Sequence, residues 1–270
     1  MKVDIISDIH LDAFEYFELE GIVEQVFDSW FKNAEGEILL VAGDVETCLG
    51  SEKNELSDKF FDYVTNRYNM VFCVLGNHDY WNKAPYYDKK KYNFETMVNA
   101  ARKRYPRVVF LNADAVVYYE GFGIIGATMW TNVPPHSRYT ITRMMNDYSQ
   151  SFHANGHMLT VDETSAEASR VGNYIFDTVS NNKDTKFIVL THHVPFKCYS
   201  YGAYDVVSGY AFVNDFEDEV MDNPNIKLWA FGHTHYPVDK VYGECRLVCN
   251  PHGYINIERR TPFEVKTIEV

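Results

Sequence analysis

The chain has 270 residues and a formal net charge of −13. A protein this acidic repels a phosphate backbone at long range, which argues against DNA or RNA as a partner and therefore against a nuclease. Hydrophobic residues make up 46% of the chain and charged residues 23%, a balance typical of globular proteins. Because the chain contains no Pro/Gly/Ser-rich linker, we expect a single domain over residues 1–270.

The sequence also indicates the cellular compartment of the protein and the role of its cysteines. The amino terminus has neither a basic region nor a long apolar stretch, and no apolar run reaches the length of a membrane span. We therefore predict a cytoplasmic protein that has no membrane partner. The five cysteines are scattered without a Cys-x-x-Cys pair, so we expect them to serve packing.

In the first part of the chain, short apolar runs that predict buried strands end in polar residues. The run 3–7 is followed by Asp8 and His10, and the run 37–42 by Gly43 and Asp44. Helices are predicted between these strands, over 19–31 and 56–68. This alternation favours an α/β sheet whose strands deliver their following residues to one edge.

The third strand, Met70 to Leu75, leads into the tetrapeptide Gly76-Asn77-His78-Asp79. Asn77 offers a neutral amide oxygen to a hard metal ion, and His78 has a side chain type that titrates near neutral pH. Asp79 is placed to orient that imidazole. The sequence therefore predicts a site at this strand end.

After a helix over 94–105 the pattern changes. The runs 107–111, 115–119 and 123–130 are separated by turn signals, which predicts antiparallel pairing and the start of a second sheet or a sheet edge. A helix is predicted over 161–179, with Asp162 or Thr164 as its cap.

The stretch 131–156 shows no clear period and contains Arg138 and Arg143. Long segments of this kind are often lids or substrate loops, although a surface insertion packed by its own aromatic residues fits equally well. The Tyr- and Gly-rich stretch 196–209 is a second candidate for a loop that lines the site.

Two further strands, 186–190 and 226–231, end in histidines. The first leads into His192 and His193, which as neighbours point to opposite sides, so at most one of them is expected to bind a metal. The second leads into Gly232, His233 and His235, where the two histidines have the same-side spacing as Asp8 and His10 in extended backbone. Strands are expected over 238–241 and 246–250, and the tail from residue 254 is expected to cross the surface.

A mixed set of imidazole nitrogens and carboxylate or amide oxygens suits two divalent first-row ions better than a closed structural zinc site, which favours thiolates. The ordered series Asp-x-His, Gly-Asp, Gly-Asn-His-Asp, His and Gly-His-x-His resembles that of the calcineurin-like metallophosphoesterases. The resemblance runs from Asp8 to the segment Asn250 to Tyr254. Residues 126–130 and 191–195 look like a branch of small cytosolic bacterial enzymes of that superfamily.

The resemblance implies an α/β (α+β) fold: a four-layer αββα sandwich of two mixed β-sheets flanked by helices. It also implies two divalent ions, with manganese as first choice and iron, zinc, nickel or magnesium as alternatives. Its first metal would be held by Asp8, His10, Asp44 and His235, and its second by Asp44, Asn77, His192 and His233. His192 is preferred to His193 because the preceding strand leads into it in the register that the family uses.

The family's chemistry is in-line attack of a metal-bridging hydroxide on phosphorus. His78 would lie beside the leaving group, and His193, Arg138 and Arg143 would contact substrate. Protein phosphatases of the superfamily carry Asp-Arg three and four residues after the bridging Asp, whereas this chain has Thr47 and Cys48. This departure argues against a phosphoprotein substrate and leaves Asp79 and Glu46 as alternative partners of His78.

The resulting hypothesis is a phosphoesterase for a small phosphate mono- or diester or a nucleotide, with aromatic residues of 131–156 and 196–210 around the base. Two alternatives are a nuclease and a non-catalytic binding module that keeps the fold. The complete ligand set argues against the binding module.

Overall fold

The computed structural model describes residues 1–17, 22–52, 54–82, 93–151, 156–198, 209–254, 258 and 262–270. Its strands are β1 (Lys2–Ile6), β2 (Ile38–Val41), β3 (Met70–Cys73), β4 (Val109–Phe110), β5 (Val117–Tyr119), β6 (Phe122–Ala127), β7 (Lys186–Thr191), β8 (Ile226–Phe231), β9 (Val238–Tyr242), β10 (Cys245–Cys249) and β11 (Lys266–Glu269). Its helices are α1 (Val23–Trp30), α2 (Glu55–Arg67), α3 (Phe94–Arg104), α4 (Arg138–Met144), α5 (Asp147–Gln150), α6 (Val161–Asn181) and α7 (Glu217–Asp222), with 3-10 turns at Leu11–Phe17 and His78–Tyr80.

The strands form two mixed sheets. The first has the order β11-β1-β2-β3-β4, and all its strands are parallel except β11, which runs antiparallel to β1. The second has the order β5-β6-β7-β8-β10-β9, with four parallel strands between the antiparallel edges β5 and β9. Parallel strands end at the same edge of a sheet, so each sheet gathers the residues that follow its strands.

The two sheets pack face to face because their strands are apolar on both sides. In β2, Ile38 and Leu40 enter the cluster between the sheets, together with Ile188 and Leu190 of β7. Leu39 and its neighbours on the opposite face pack instead beneath α1, α2 and α3. The outer face of the second sheet is covered by α6. The predicted four-layer α/β sandwich is therefore confirmed, and the continuous apolar runs reflect strands buried on both faces.

Several predicted local features were wrong. The strand at 107–111 was expected to be antiparallel, but β4 pairs parallel to β3 at the edge of the first sheet. The tail was expected to cross the surface, but β11 extends the first sheet and buries Ile268. The cap of α6 is neither Asp162 nor Thr164: Thr160 caps the helix in a capping box with Glu163.

The segment 131–156 is more regular than its sequence suggested. It contains α4 and α5, and Ile141 of α4 is fully buried against Val161 and Ala211. Helices of one or two turns bury too few residues to show a clear period, which explains why the pattern was missed. Among the described residues, no helix is both long and apolar enough to cross a bilayer.

Candidate metal centre

The side chains predicted as metal ligands come together where the two sheets meet. Asp8 follows β1 and Asp44 follows β2, and their segments are joined by a hydrogen bond from the Asp8 N–H to the Gly43 carbonyl (3.0 Å). His192 and His233 follow β7 and β8 of the second sheet. Two groups of side chains each bring one donor atom per residue to within 4.8 Å of the other donor atoms in that group. We name Asp8, His10, Asp44 and His235 the first donor group, and Asp44, His192 and His233 the second donor group.

The backbone that carries these residues is not the extended chain that the spacing suggested. Five of the predicted ligands have left-handed φ angles: Asp8 (54°), His10 (44°), Asp44 (54°), His233 (71°) and His235 (49°). Such conformations are unfavourable for residues with a β-carbon and concentrate at functional sites. The residues are the predicted ones, but left-handed turns rather than strand geometry bring them together.

Two glycines permit the close approach of neighbouring strand ends. A β-carbon on Gly43 would lie 2.6 Å from the backbone nitrogen of Gly76 and 2.7 Å from Nδ1 of His192. A β-carbon on Gly76 would overlap Oδ1 of Asp44. The glycines of the Gly-Asp and Gly-Asn-His-Asp motifs therefore serve packing as much as backbone freedom.

In the first donor group, Nε2 of His10 lies 3.0 Å from Nε2 of His235. Oδ2 of Asp44 lies 3.7 Å from the same His10 nitrogen, and Oδ1 of Asp8 lies 3.6 Å from Nε2 of His235. Asp8 and Asp44 are 0% and 2% exposed, so no bulk water balances their charge. Four donor atoms thus converge on one point.

The second donor group shares Asp44. Nε2 of His192 lies 3.4 Å from Oδ2 of Asp44, the oxygen that also faces His10. Oδ1 of Asn77 lies 2.9 Å from Nε2 of His192 and 3.0 Å from Nδ1 of His233, so the amide oxygen lies next to this group. The other Asp44 oxygen accepts the backbone N–H of His78 at 2.9 Å, which fixes the carboxylate between the groups.

In three of the histidines, the ring nitrogen that points away from the donor atoms lies close to a hydrogen-bond acceptor. Nδ1 of His192 lies 2.8 Å from the Ala42 carbonyl, and Nε2 of His233 lies 3.3 Å from the Ala211 carbonyl. Nδ1 of His235 lies 2.6 Å from Oε2 of Glu258. An N–H donated outwards leaves the inner nitrogen with a free lone pair, the tautomer that a metal ligand needs.

Unpaired atoms provide a test of whether a cation fits. Among the described residues, Oδ2 of Asp8 is buried and has no hydrogen-bond partner. A buried carboxylate oxygen without a partner is costly, and a divalent ion satisfies it where a proton donor is absent. The oxygen- and nitrogen-rich donor set, which lacks thiolates, fits divalent ions.

The buried carboxylates and imidazoles of the two donor groups lie close enough to shift one another's pKa. Burial opposes ionisation of Asp44, but the neighbouring imidazoles, His192 above all, hold its pKa well below the ordinary value. Burial disfavours the charged form of His192 as well, yet the Asp44 carboxylate raises its pKa to about 9. Burial lowers the pKa of both His10 and His233 well below the usual range. The Asp44 carboxylate and the protonated imidazole of His192 thus stabilise each other's charge.

His78 lies half-buried at the rim of the first donor group. Its ring stacks on Trp81 with centroids 3.6 Å apart, and it meets the His10 ring edge-on at 4.7 Å. The Tyr254 hydroxyl lies 3.3 Å from Nε2 of His78, while the Tyr254 ring stacks on His10 at 4.3 Å. His78 is therefore held between two aromatic side chains next to the ligand atoms.

Neither predicted partner of His78 lies against it. Asp79 is fully buried and accepts backbone N–H groups of Asp44, Val45, Glu46 and Gly76, at 2.6 to 3.0 Å. The Glu46 carboxylate accepts the backbone N–H of Ser57 at 3.0 Å and also its hydroxyl. Asp79 therefore shapes the loop that carries Asp44, which differs from the predicted contact with His78.

The predicted substrate residues have different surroundings. His193 is buried with its ring 4.1 Å from the His233 ring, and burial together with His192 lowers its pKa to about 3. Arg138 donates to the Val133 carbonyl at 3.0 Å and pairs with Asp162 of α6. Arg143 lies over the Tyr139 ring at 5.9 Å and is exposed. The contacts of Arg138 fasten α4 to α6 rather than facing the donor groups.

Sequence reasoning missed the residues that surround the ligands. Glu258 contacts His235 from the tail, and Tyr254 contacts His78. Asp147 of α5 accepts hydrogen bonds from Asn77 and Trp81. Tyr254 and Asp147 lie in stretches that the sequence singled out, but no spacing rule connects them to the motifs. Residues 199–208 of the second predicted lining loop lie outside the described part of the chain.

The sequence model of the calcineurin-like phosphoesterase family matches residues 1–237, and the chain belongs to this family. Members of the family usually bind divalent metals, in agreement with the cluster of possible ligands described above.

Individual proteins are similar to this chain in sequence or in fold. An uncharacterised protein of Acanthamoeba polyphaga mimivirus is 27% identical over 263 residues, which cover 92% of this chain and 90% of the viral protein. The phosphopantetheinyl hydrolase of Mycobacterium tuberculosis has a TM-score of 0.70 at 14% identity, covering 99% of this chain and 95% of that chain. A dimetal phosphatase from Danio rerio has a TM-score of 0.52 at 12% identity, with 94% and 88% covered. The two structures are similar to this chain in fold.

Proposed function

We propose that this protein is a dinuclear metal-dependent phosphoesterase that hydrolyses a small phosphate mono- or diester. The observation that carries the proposal is the position of Asp44, whose Oδ2 faces His10 at 3.7 Å and His192 at 3.4 Å. One carboxylate oxygen shared by two donor groups is the arrangement expected for a pair of ions at short separation.

The first donor group would hold one ion, and the second donor group with Asn77 would hold the other. When bound, two divalent ions neutralise the phosphoryl oxygens and activate water for in-line attack on phosphorus. The protein itself supplies rigid ligands: left-handed turns fix the carboxylates, and outward hydrogen bonds orient the imidazoles. Such preorganisation avoids a reorganisation cost during the reaction.

His78 would act at the leaving group. Its half-buried ring lies at the rim of the first donor group, with the Tyr254 hydroxyl 3.3 Å from Nε2. We assign His78 the role of proton donor to the departing oxygen, and Tyr254 the role of its hydrogen-bonding partner. Asp79 keeps a positioning role through the Asp44 loop, since four backbone N–H groups occupy its oxygens.

The substrate that we propose is a small ester, such as a nucleotide, rather than a phosphoprotein or a nucleic acid. The net charge of −13 disfavours a polyanion, and Thr47 and Cys48 stand where protein phosphatases carry an Asp-Arg pair. His193, next to His233, is our candidate for contact with the bound phosphate. The Mycobacterium tuberculosis protein, named a phosphopantetheinyl hydrolase, adds a phosphopantetheinyl diester to the compounds worth testing.

The test is hydrolysis by metal-stripped protein reloaded with Mn²⁺, followed by the other candidate metals. The panel contains a chromogenic phosphodiester, its matching monoester, nucleotides and a phosphopantetheinyl ester. Asp44→Asn should abolish the activity, and Asp62→Asn should retain it, because the Asp62 side chain is 75% exposed and pairs with Arg107 instead. A protein that binds the metals but cleaves no compound of the panel would overturn the proposal in favour of a binding role.

A further inference from the structure

Asp147 of α5 is a buried carboxylate, 3% exposed, whose Oδ1 accepts two hydrogen bonds from the site. One comes from Nδ2 of Asn77 at 2.8 Å and the other from Nε1 of Trp81 at 2.9 Å. Asp147 contacts no metal-ligand atom of either donor group directly. Its influence on the site therefore passes through the two residues that it binds.

The contact with Asn77 decides which end of the carboxamide faces the second donor group. An amide can present either its oxygen or its NH₂ group, and only the oxygen can bind a cation. Because Asp147 offers an acceptor, the NH₂ group turns towards it, and Oδ1 points to His192 and His233 at 2.9 and 3.0 Å. Without that acceptor, the amide loses the interaction that selects its orientation.

The contact with Trp81 acts on the other functional side chain. The indole stacks on the His78 ring with centroids 3.6 Å apart and an interplanar angle of 25°. A hydrogen bond at the indole N–H fixes the ring plane, which limits the positions open to His78. One carboxylate oxygen thus holds both a predicted ligand and the aromatic ring beside the predicted proton donor.

We propose that Asp147 is a positioning residue that makes occupation of the second donor group depend on the segment 131–151. The inference rests on the proposed function, since it concerns the ions that the function requires. The segment is also joined to the turn after His78 by a hydrogen bond from the Asn82 N–H to the Gln150 carbonyl (3.0 Å). The Asp147 carboxylate and binding of the second ion are therefore linked.

The test measures metal binding separately from hydrolysis. Equilibrium dialysis of metal-free protein against Mn²⁺ alone gives the number of ions bound and their affinities. Asp147→Ala should leave the first ion in place and weaken the second by about 10–100-fold, the usual effect of removing a group that orients a ligand. Asp147→Asn keeps an oxygen acceptor and should restore most of the lost affinity.

Tyr148→Phe is the matched control, because it removes a hydrogen bond from the same helix to Thr164 (3.0 Å) without touching Asn77. It should bind both ions as the wild type does. The inference is overturned if Asp147→Ala binds the second ion with wild-type affinity, or if Tyr148→Phe weakens it equally. Should the alanine variant not fold, Asp147→Leu, which has a similar side-chain volume and also removes the acceptor, takes its place in the same comparison.

The two proposals fail in different ways. If the wild type binds two ions and Asp147→Ala only one, the inference stands even when no ester is hydrolysed. If the wild type hydrolyses esters with a single ion bound, the inference falls while phosphoesterase activity remains.

Discussion

The hydroxyl of Tyr254 lies 3.3 Å from Nε2 of His78, and its ring stacks on His10 at 4.3 Å. One tyrosine from the segment after β10 therefore contacts both a residue of the first donor group and the proposed proton donor. Burial keeps the phenol neutral, because it raises the pKa of Tyr254 far above its ordinary value. The side chain consequently offers His78 a neutral hydroxyl that can donate a hydrogen bond to Nε2 or accept one from it.

Replacing Tyr254 with phenylalanine should lower kcat by about 3–10-fold, the equivalent of one net hydrogen bond. The loss should appear with esters of poor leaving groups and vanish in a His78→Ala background, because the hydroxyl acts through that imidazole. Steady-state kinetics on the four proteins of this double-mutant cycle measure it. Tyr118→Phe, at a tyrosine that is 64% exposed, is the control. Equal losses with and without His78 would contradict the assigned partnership.

Glu258→Gln should weaken the ion of the first donor group by about 10–100-fold. The carboxylate lies 2.6 Å from Nδ1 of His235, so it orients the ring and increases the electron density on the inner nitrogen. Metal dialysis of the free protein measures the change. Glu264→Gln is the control, since the Glu264 carboxylate accepts a hydrogen bond from Nδ2 of Asn33 at 2.8 Å rather than from a predicted metal ligand. Unchanged affinity in Glu258→Gln would show that His235 needs no such support.

A comparison of Gly43→Ala with Gly121→Ala distinguishes the loss of stability caused by overpacking from that caused by backbone strain. Both glycines have left-handed φ angles, 85° and 82°, but only at Gly43 would a β-carbon meet neighbouring atoms. Gly121→Ala should cost about 1 kcal/mol of unfolding free energy from strain alone. Gly43→Ala should cost more, by about 1–3 kcal/mol, because of overpacking. Urea unfolding of both variants measures this, and equal losses would mean that the strand ends move apart without cost.

The contacts of Asp239 with basic side chains should make the free energy of unfolding depend slightly on pH in the acid range. Its hydrogen bond to Arg246 and its contact with Lys266 lower its pKa from 3.8 to about 2 in the folded protein. The stabilisation is thus present above pH 3.8 and is lost as the pH falls towards 2. Because the pair is largely exposed, Asp239→Asn should cost only about 0.2–1 kcal/mol at pH 7. Urea unfolding at pH 7 and pH 2 measures this, and a cost that persisted at pH 2 would exclude the ion pair as its cause.

The sequence predicted the residues that follow the strands because burial constrains strands strongly. Continuous apolar runs such as that of β2 could only be buried on both faces, and polar residues immediately after them had to lie at a sheet edge. All seven predicted ligands meet there: Asp8, His10, Asp44, Asn77, His192, His233 and His235. The backbone was predicted less well, since left-handed turns at non-glycine residues leave no mark in local propensity.

Contacts between distant segments could not be predicted in the same way. The link between Asp147 and Asn77 joins residues 70 positions apart, and that between Tyr254 and His78 joins residues 176 apart. Neither pair follows a repeating sequence pattern. The charge of Asp147 and the hydroxyl of Tyr254 would suit a surface position equally well. Asp79 shows the converse: it lies beside His78 in sequence, yet its carboxylate turns to backbone N–H groups.

The first donor group spans almost the whole chain, since His10 and His235 are 225 residues apart. Closing so large a loop costs entropy before any donor atoms meet, and contacts of this separation slow folding. During synthesis, a nascent chain carries Asp8, His10 and Asp44 long before His235 emerges from the ribosome. The centre therefore assembles only when both sheets have formed, so tight binding of a cation reports that the chain has folded from β1 through the segment that follows β8.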